Sequence, residues 1–185
     1  WFTTTAGAPD STVDPGAAAG GDNWLSGNRL VTGAGSSSNP QTLEQLIDIS
    51  ADAALIDLGT ATVNLDFMFA DNDGYDSATL NIHFYSDVGG ATPVGVSLST
   101  GIIAPTGPEA GSTERAPWDA RNLSGAVPAS ARSLEIEIIN ARSSGSAGNV
   151  HFDDLYGEVI PEPATIGLMA LSGLGLLVWR RRSMS

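Results

Sequence analysis

The sequence has no cysteine and no lysine, and only two of its 185 residues are histidines, His83 and His151. Without cysteine the chain has no thiol nucleophile and can form neither disulfides nor thiolate metal sites. No G-x-S-x-G pattern places a serine on a nucleophile elbow. The chain does contain the serine, histidine and acidic residues that a catalytic triad needs. Both histidines, however, fall on predicted strands, where outward-facing histidines are usually only solvated. We therefore expect a protein that is not an enzyme and has no catalytic residues.

Positive charge is also scarce: the chain has eight arginines and 21 acidic residues, which gives a net charge of −13. Polyanionic surfaces repel such a chain, so we expect no nucleic-acid partner and no direct docking on anionic lipid. The acidic charge is compatible with binding of divalent cations and of basic partners. With 22 glycines, 10 prolines and 6% aromatic residues, the composition is typical of one exported β-rich domain with long polar loops.

Short segments that alternate apolar and polar residues run from Thr42 to the end of "VHFDDLYGEV". In "TLNIHFY" the alternation puts Leu80, Ile82 and Phe84 on one face of a strand. Seven or eight such strands, with no convincing soluble helix, predict an all-β fold: an antiparallel, jelly-roll-type β-sandwich. We place this ectodomain at residues 41–159, after a loop-rich N-terminal segment, 1–40, and before a C-terminal segment, 160–185.

The C-terminal segment contains the one long apolar run, the 16 uncharged residues from Ala164 to Trp179. As a helix it would be roughly 24 Å long, slightly short of a bilayer core but able to span it when the flanking residues anchor it. A buried core helix is the alternative. The predicted membrane anchor consists of an interfacial aromatic residue and three cytoplasmic basic residues, namely Trp179, Arg180, Arg181 and Arg182.

The charge asymmetry predicts the orientation, since the net charge is −16 before this run and +3 after it. We therefore expect a single-pass protein of the cytoplasmic (inner) membrane, with its ectodomain in the periplasm or outside. Gly167, Gly173 and Gly175 give the predicted helix a small-residue face that permits close packing with another helix. This face predicts membrane protein subunits as partners.

The order "VIPEP", apolar run, "WRRR" resembles the PEP-CTERM tail, a C-terminal sorting signal of exported bacterial proteins. The resemblance implies that an exosortase, a membrane protease-transpeptidase, recognises Pro161, Glu162 and Pro163 and removes the helix. Such tails are often found in organisms that make exopolysaccharide. The resemblance covers only about 25 residues and says nothing of the ectodomain's role.

A second resemblance covers roughly residues 41–159, where the segments "QLIDIS…ALIDLG", "VPASARSLEIEI" and "FDDLYGEV" are similar to galactose-binding-like jelly rolls. It implies a structural Ca²⁺ held by a late-strand acid, Asp153 or Asp154, together with an N-terminal oxygen from Asp22 or Asn23. The alternative is that the Asp pair caps backbone amides at a strand bulge. No other cofactor is expected.

Two further features are candidate sites. The acidic loop "DNDGYD", residues 71–76, fails the EF-hand spacing and is interpreted as a β-connection. Trp118, in a predicted loop, could stack against a sugar ring, although a loop tryptophan in a sandwich more often plugs one end of the core.

Two function classes follow from these features. The first is a non-catalytic accessory or structural subunit of a bacterial membrane complex, for example a photosynthetic or respiratory one, because an uncut span that stays in the bilayer implies neighbours. The alternative is an exosortase-processed surface protein that is associated with or binds exopolysaccharide.

Overall fold

A computed structural model describes residues 25–26, 40–71, 76–103, 117–143 and 150–161. Strands dominate these residues, and the helical content is one 3₁₀ turn, Ser50–Asp52, followed by the four-residue helix α1, Ala53–Ile56. The strands are β1 Leu25–Ser26, β2 Gln41–Asp48, β3 Ala61–Asp71, β4 Ser77–Tyr85, β5 Leu98–Ser99, β6 Asp119–Ala126, β7 Ser133–Ala141 and β8 Val150–Pro161.

The eight strands form two four-stranded antiparallel sheets. The first sheet has the order β1-β8-β3-β6 and the second has the order β2-β7-β4-β5. Pairing joins β1 to β8, β2 to β7, β3 to β6 and β4 to β5, as in one long hairpin rolled up on itself. This is the strand order of a jelly roll. The prediction of an all-β, antiparallel sandwich is confirmed.

The core lies between the sheets and follows the predicted alternation. On β4 the side chains of Ala78, Leu80, Ile82 and Phe84 are buried, while the residues between them are partly exposed. β7 repeats the pattern. Three phenylalanines fill the centre of the sandwich, and the Phe152 ring lies 5.8 Å from that of Phe67 and 5.5 Å from that of Phe69. Such tilted and edge-to-face pairs are favourable beyond the area they bury.

A β-bulge in β8 changes which residues of that strand face the core. The pairing with β3 shifts between Asp66 and Met68, so that two residues of β8 oppose one of β3. Asp154 takes the positive φ of 47° that the bulge requires. Before the bulge Phe152 faces the core, and after it Leu155 and Val159 do. The side chain of Tyr156 is thereby turned outward.

The strand β8 continues two residues beyond the predicted end of the sandwich, through Ile160 to Pro161. The predicted membrane span 164–179, with its anchor and its glycine face, lies outside the described residues. Within the part of the chain that the structure describes, no helix is both long and apolar enough to cross a bilayer. β1 falls in the predicted loop-rich segment 1–40 and pairs with Phe152 and His151.

Candidate functional site

The outer face of the first sheet carries a polar patch next to an exposed aromatic ring. The patch lies where three strands are in register: Tyr156 on β8 is directly opposite Asp66 on β3, which is directly opposite Asn122 on β6. In the adjacent row Asn64 lies between Glu158 and Ser124. We call Asn64, Asp66, Asn122 and Tyr156 the Asp66 platform.

Hydrogen bonds between its side chains fix the platform. Asn122 Nδ2 donates to Asn64 Oδ1 at 2.6 Å and to Asp66 Oδ1 at 2.7 Å. Asn64 Nδ2 donates to Asp66 Oδ2 at 3.0 Å. Both Asn122 hydrogens are then engaged, whereas Asn122 Oδ1 and the second amide hydrogen of Asn64 make no hydrogen bond within the described part of the chain. The platform therefore keeps an acceptor and a donor, in fixed positions, for a molecule from solution.

Tyr156 supplies the apolar part of the platform. Its side chain is 60% exposed, so one face of the ring is open to solvent. Adjacent strands are about 4.8 Å apart, so Tyr156 and Asn122 are separated by about 10 Å across the sheet. An exposed sheet face with an aromatic ring at one side and fixed amide and carboxylate groups at the other can bind a polyhydroxylated molecule.

Trp118, the predicted sugar-stacking residue, lies directly before β6 and is half buried. It is four residues from Asn122, which amounts to roughly 13 Å along an extended chain. The structure therefore does not place Trp118 in the Asp66 platform. Its proposed contact with a ligand stays a prediction.

The residues predicted to hold Ca²⁺ are only partly described. Asp153 Oδ1 accepts a hydrogen bond from the backbone amide of Asp154 at 2.9 Å, which matches the amide-capping alternative at a bulge. Asp153 is buried and Asp154 is exposed, while Asp22 lies outside the described residues. Among the described residues no three acidic or histidine side chains come close enough to hold a metal ion. The structural Ca²⁺ stays a prediction.

The acidic loop 71–76 connects two strands, since β3 ends at Asp71 and β4 begins at Ser77. The Asp71 and Asp76 carboxylates at its two ends are both fully buried. Asp76 Oδ1 accepts a hydrogen bond from the backbone amide of Ser143 at 2.9 Å, so this carboxylate joins the β3–β4 loop to the end of β7.

The outer face of the second sheet brings a serine, a histidine and a glutamate together. Ser97 Oγ lies 2.8 Å from His83 Nδ1, and Glu137 Oε2 lies 3.2 Å from His83 Nε2. Glu137 also accepts from Asn81 Nδ2 at 2.7 Å. Burial raises the pKa of Glu137, but the hydrogen bonds from Asn81 and His83 outweigh it and leave that pKa below its ordinary value.

This arrangement is the reverse of a hydrolase triad. In a triad Nε2 faces the nucleophile and Nδ1 faces the acid, whereas here Nδ1 faces Ser97 and Nε2 faces Glu137. Ser97 is exposed beside the short edge strand β5. The cluster acts as a polar cross-link between β4, β7 and the segment that leads to β5.

Sequence reasoning missed the Asp66 platform. The alternation in "TVNLDFMF" does place Asn64 and Asp66 on one outward face, which is the available signal. Asn122, however, is 56 residues from Asp66 in the chain, and only the register of β3 with β6 brings the two together. Tyr156 joins them only because of the bulge.

Comparison with known proteins identifies the tail. Residues 159–182 match the family model of the PEP-CTERM protein-sorting motif. No curated protein matches the chain.

Solved structures show a distant likeness of the sandwich. An infectious bursal disease virus structure (Gx strain) is 17% identical with a TM-score of 0.40, over 66% of this chain and 26% of the viral chain. The K3 cleaved adhesin domain of Lys-gingipain from Porphyromonas gingivalis is 15% identical with a TM-score of 0.39, over 69% of this chain and 68% of that domain. The chain thus spans 26–31% of the length of these viral chains. Likenesses of this degree say nothing about function.

The fold and the tail together define the class: an antiparallel β-sandwich followed by a PEP-CTERM protein-sorting motif. The motif indicates an exported surface protein that is processed by an exosortase. The motif thus implies an exosortase as a partner.

Proposed function

We propose that the exported sandwich is a non-catalytic module that binds a neutral polysaccharide through the Asp66 platform. One observation carries the proposal: Tyr156, Asp66 and Asn122 lie side by side on three adjacent strands, with the ring exposed and the polar groups fixed. Sugars present hydroxyls that both donate and accept, together with apolar ring faces that stack on aromatic side chains.

The fixed hydrogen bonds favour binding because they lower its entropic cost. Asp66 accepts from both asparagines, so none of the three polar side chains needs to be ordered when a ligand arrives. The platform lies on the exposed outer face of the sheet, which suits a polymer that passes across it better than a small molecule that must be enclosed.

Charge favours a neutral ligand. Asp66 and the adjacent Glu158 are both acidic, and the whole chain has a net charge of −13. An anionic polysaccharide would be repelled by this surface, whereas neutral hydroxyls gain from charge-assisted hydrogen bonds to the Asp66 carboxylate.

The proposed absence of catalysis is supported by the second sheet. His83 lies near a serine hydroxyl, and its ring nitrogens face Ser97 and Glu137 in the reverse order of a triad. Ser97 is exposed rather than set in a cleft. We assign this cluster a structural role.

A binding titration tests the proposal. Purified protein is titrated with a neutral glucan and a neutral galactan, with a sulfated glycan, and with exopolysaccharide from the producing organism. Tyr156→Ala and Asp66→Ala should each weaken binding of the neutral polymer roughly tenfold or more, which corresponds to about 1.4 kcal/mol. Tyr156→Phe keeps the ring and should retain most of the affinity.

His83→Gln, on the opposite sheet, is the matched control and should bind as the native protein does. Equal affinity of Tyr156→Ala, Asp66→Ala and the native protein would refute the platform. Tighter binding of the sulfated than of the neutral polymer would refute the argument from charge.

The accessory-subunit hypothesis depends on residues outside the described ones, and nothing in the sandwich bears on it. It stays a prediction, based on the small-residue face at Gly167, Gly173 and Gly175. Its test is co-purification: Gly173→Leu with Gly175→Leu should still reach the membrane but lose its partner subunits. Native stoichiometry of that double variant would contradict helix docking.

A further inference from the structure

The sorting motif and the last strand of the sandwich share residues. The motif covers residues 159–182 and β8 ends at Pro161, so Val159, Ile160 and Pro161 belong to both. All three are paired with the first residues of β3: Val159 with Val63, Ile160 with Thr62 and Pro161 with Ala61. The first proline of the Pro-Glu-Pro sequence is therefore part of the folded sandwich.

This pairing restricts access to the motif. A protease binds its substrate as an extended peptide whose backbone groups it hydrogen-bonds itself, and the backbone groups that β8 directs toward β3 are already engaged in the ladder. Next to Pro161, the Ala61 carbonyl also accepts from the amide of Val127 at 2.8 Å, which holds β3 to the chain that follows β6. The end of the sandwich thus lies directly against the first motif residue, with no spacer between them.

The same end of β8 has few partners among the described residues. β1 pairs only with His151 and Phe152, so among the described strands β8 has a single neighbour, β3, from Asp154 onward. Val159 is only half buried. It also lines an apolar cavity of about 270 Å³ between the sheets, together with Val63 and Ile136. A strand end with one neighbour and an incompletely packed side chain opens without unfolding the rest of the domain.

We propose that exosortase processing of this protein requires residues Val159–Pro161 to detach from β3, so that the docked strand end limits the rate of processing. The inference rests on the processing that the motif indicates. The added step is local opening of β8, which this sandwich imposes on its own maturation.

A reversible cross-link tests the step. Thr62 and Ile160 are directly paired and half exposed, and directly opposite residues of an antiparallel pair have the Cα separation of a disulfide. The native chain has no cysteine, so Thr62→Cys with Ile160→Cys forms a single defined bond. In cells or membranes with active exosortase, tail removal is followed by intact mass. The oxidised double variant should be processed at least roughly tenfold more slowly than the native protein, and reductant should restore the rate.

Three controls isolate the effect. Each single cysteine variant should be processed normally. A second cross-link, Met68→Cys with Ala120→Cys, joins β3 to β6 without involving β8 and should leave processing unchanged. Insertion of Gly-Ser-Gly-Ser between Glu158 and Val159 keeps the motif intact but separates it from the ladder, and should speed processing by up to roughly tenfold.

The outcomes separate the two claims. Native processing of the oxidised Thr62–Ile160 variant, with the disulfide verified by mass, would overturn the requirement for β8 opening and leave exosortase processing standing. A second outcome would overturn the processing itself. In that outcome the native protein, the reduced double-cysteine variant and the Gly-Ser-Gly-Ser insertion variant all keep the tail, while the exosortase cleaves another substrate.

Discussion

Replacement of Phe152 by alanine tests the inward face of β8 and the bulge that follows it. Phe152 is fully buried and its ring contacts those of Phe67 and Phe69. A buried phenylalanine truncated to alanine loses its transfer free energy and leaves a cavity, at a cost of about 3–5 kcal/mol. For a domain stabilised by about 5–15 kcal/mol, a loss of about 4 kcal/mol is a large fraction of the free energy of unfolding.

Tyr156→Ala is the matched comparison, because it truncates another aromatic residue of the same strand. Phe152 and Tyr156 are four positions apart, so in a regular strand both rings would point to the same face. The bulge at Asp153–Asp154 instead turns Tyr156 outward, where it is 60% exposed. Truncation there should change stability by only about 0.5 kcal/mol.

Urea unfolding of the purified proteins, followed by tryptophan fluorescence, measures both effects. With a slope of about 2 kcal/mol per molar urea, Phe152→Ala should lower the midpoint by about 2 M and Tyr156→Ala by about 0.3 M. Similar shifts for the two variants would refute the bulge and, with it, the exposure of Tyr156 on which the Asp66 platform depends.

Three further predictions concern acid stability, a turn and the serine of the second sheet. Accepted hydrogen bonds lower the pKa of three aspartates on the surface below the ordinary value. Their contribution to stability is therefore present above pH about 4 and is lost as the pH falls through the lowered pKa values. The melting temperature should be flat from pH 7 to 5 and fall below pH about 4. These residues are Asp48, Asp57 and Asp87. Gly95 has a φ of +70° and a Cβ there would overlap the ring of Pro128, so Gly95→Ala should lower the free energy of unfolding by about 2 kcal/mol or more. Gly101 has a φ of +64° but open space around it, so Gly101→Ala should lower it by about 1 kcal/mol. Equal losses for the two variants in urea unfolding would contradict the overlap. Ser97 should not be labelled by a fluorophosphonate probe, and labelling that is abolished by His83→Gln would show a reactive serine and contradict the structural role of that cluster.

Local sequence patterns predict the strands and their inward faces well. The apolar positions of β4 alternate with polar ones, and the structure buries the predicted inward residues Leu80, Ile82 and Phe84. Alternation is set by the pleat of a strand, which depends only on neighbours in the chain. The two-sheet sandwich follows from the number of such strands.

Long-range register is what the sequence could not supply. Asn122 meets Asp66 across 56 residues of chain, and nothing local to either residue fixes that pairing. The bulge depends on a single residue, Asp154, in a left-handed conformation that aspartate adopts occasionally rather than by rule. Since Tyr156 reaches the outer face only through this bulge, the candidate site as a whole was not predictable from alternation.

The most direct test of the account is the mass and location of the mature protein in the producing organism. We expect the sandwich to be recovered outside the cytoplasmic membrane in a form that lacks the residues after the Pro-Glu-Pro sequence. A variant with Pro161, Glu162 and Pro163 all changed to alanine should stay full-length and membrane-associated. Recovery of the native protein with its intact tail, alongside an exosortase that processes its other substrates, would contradict the account.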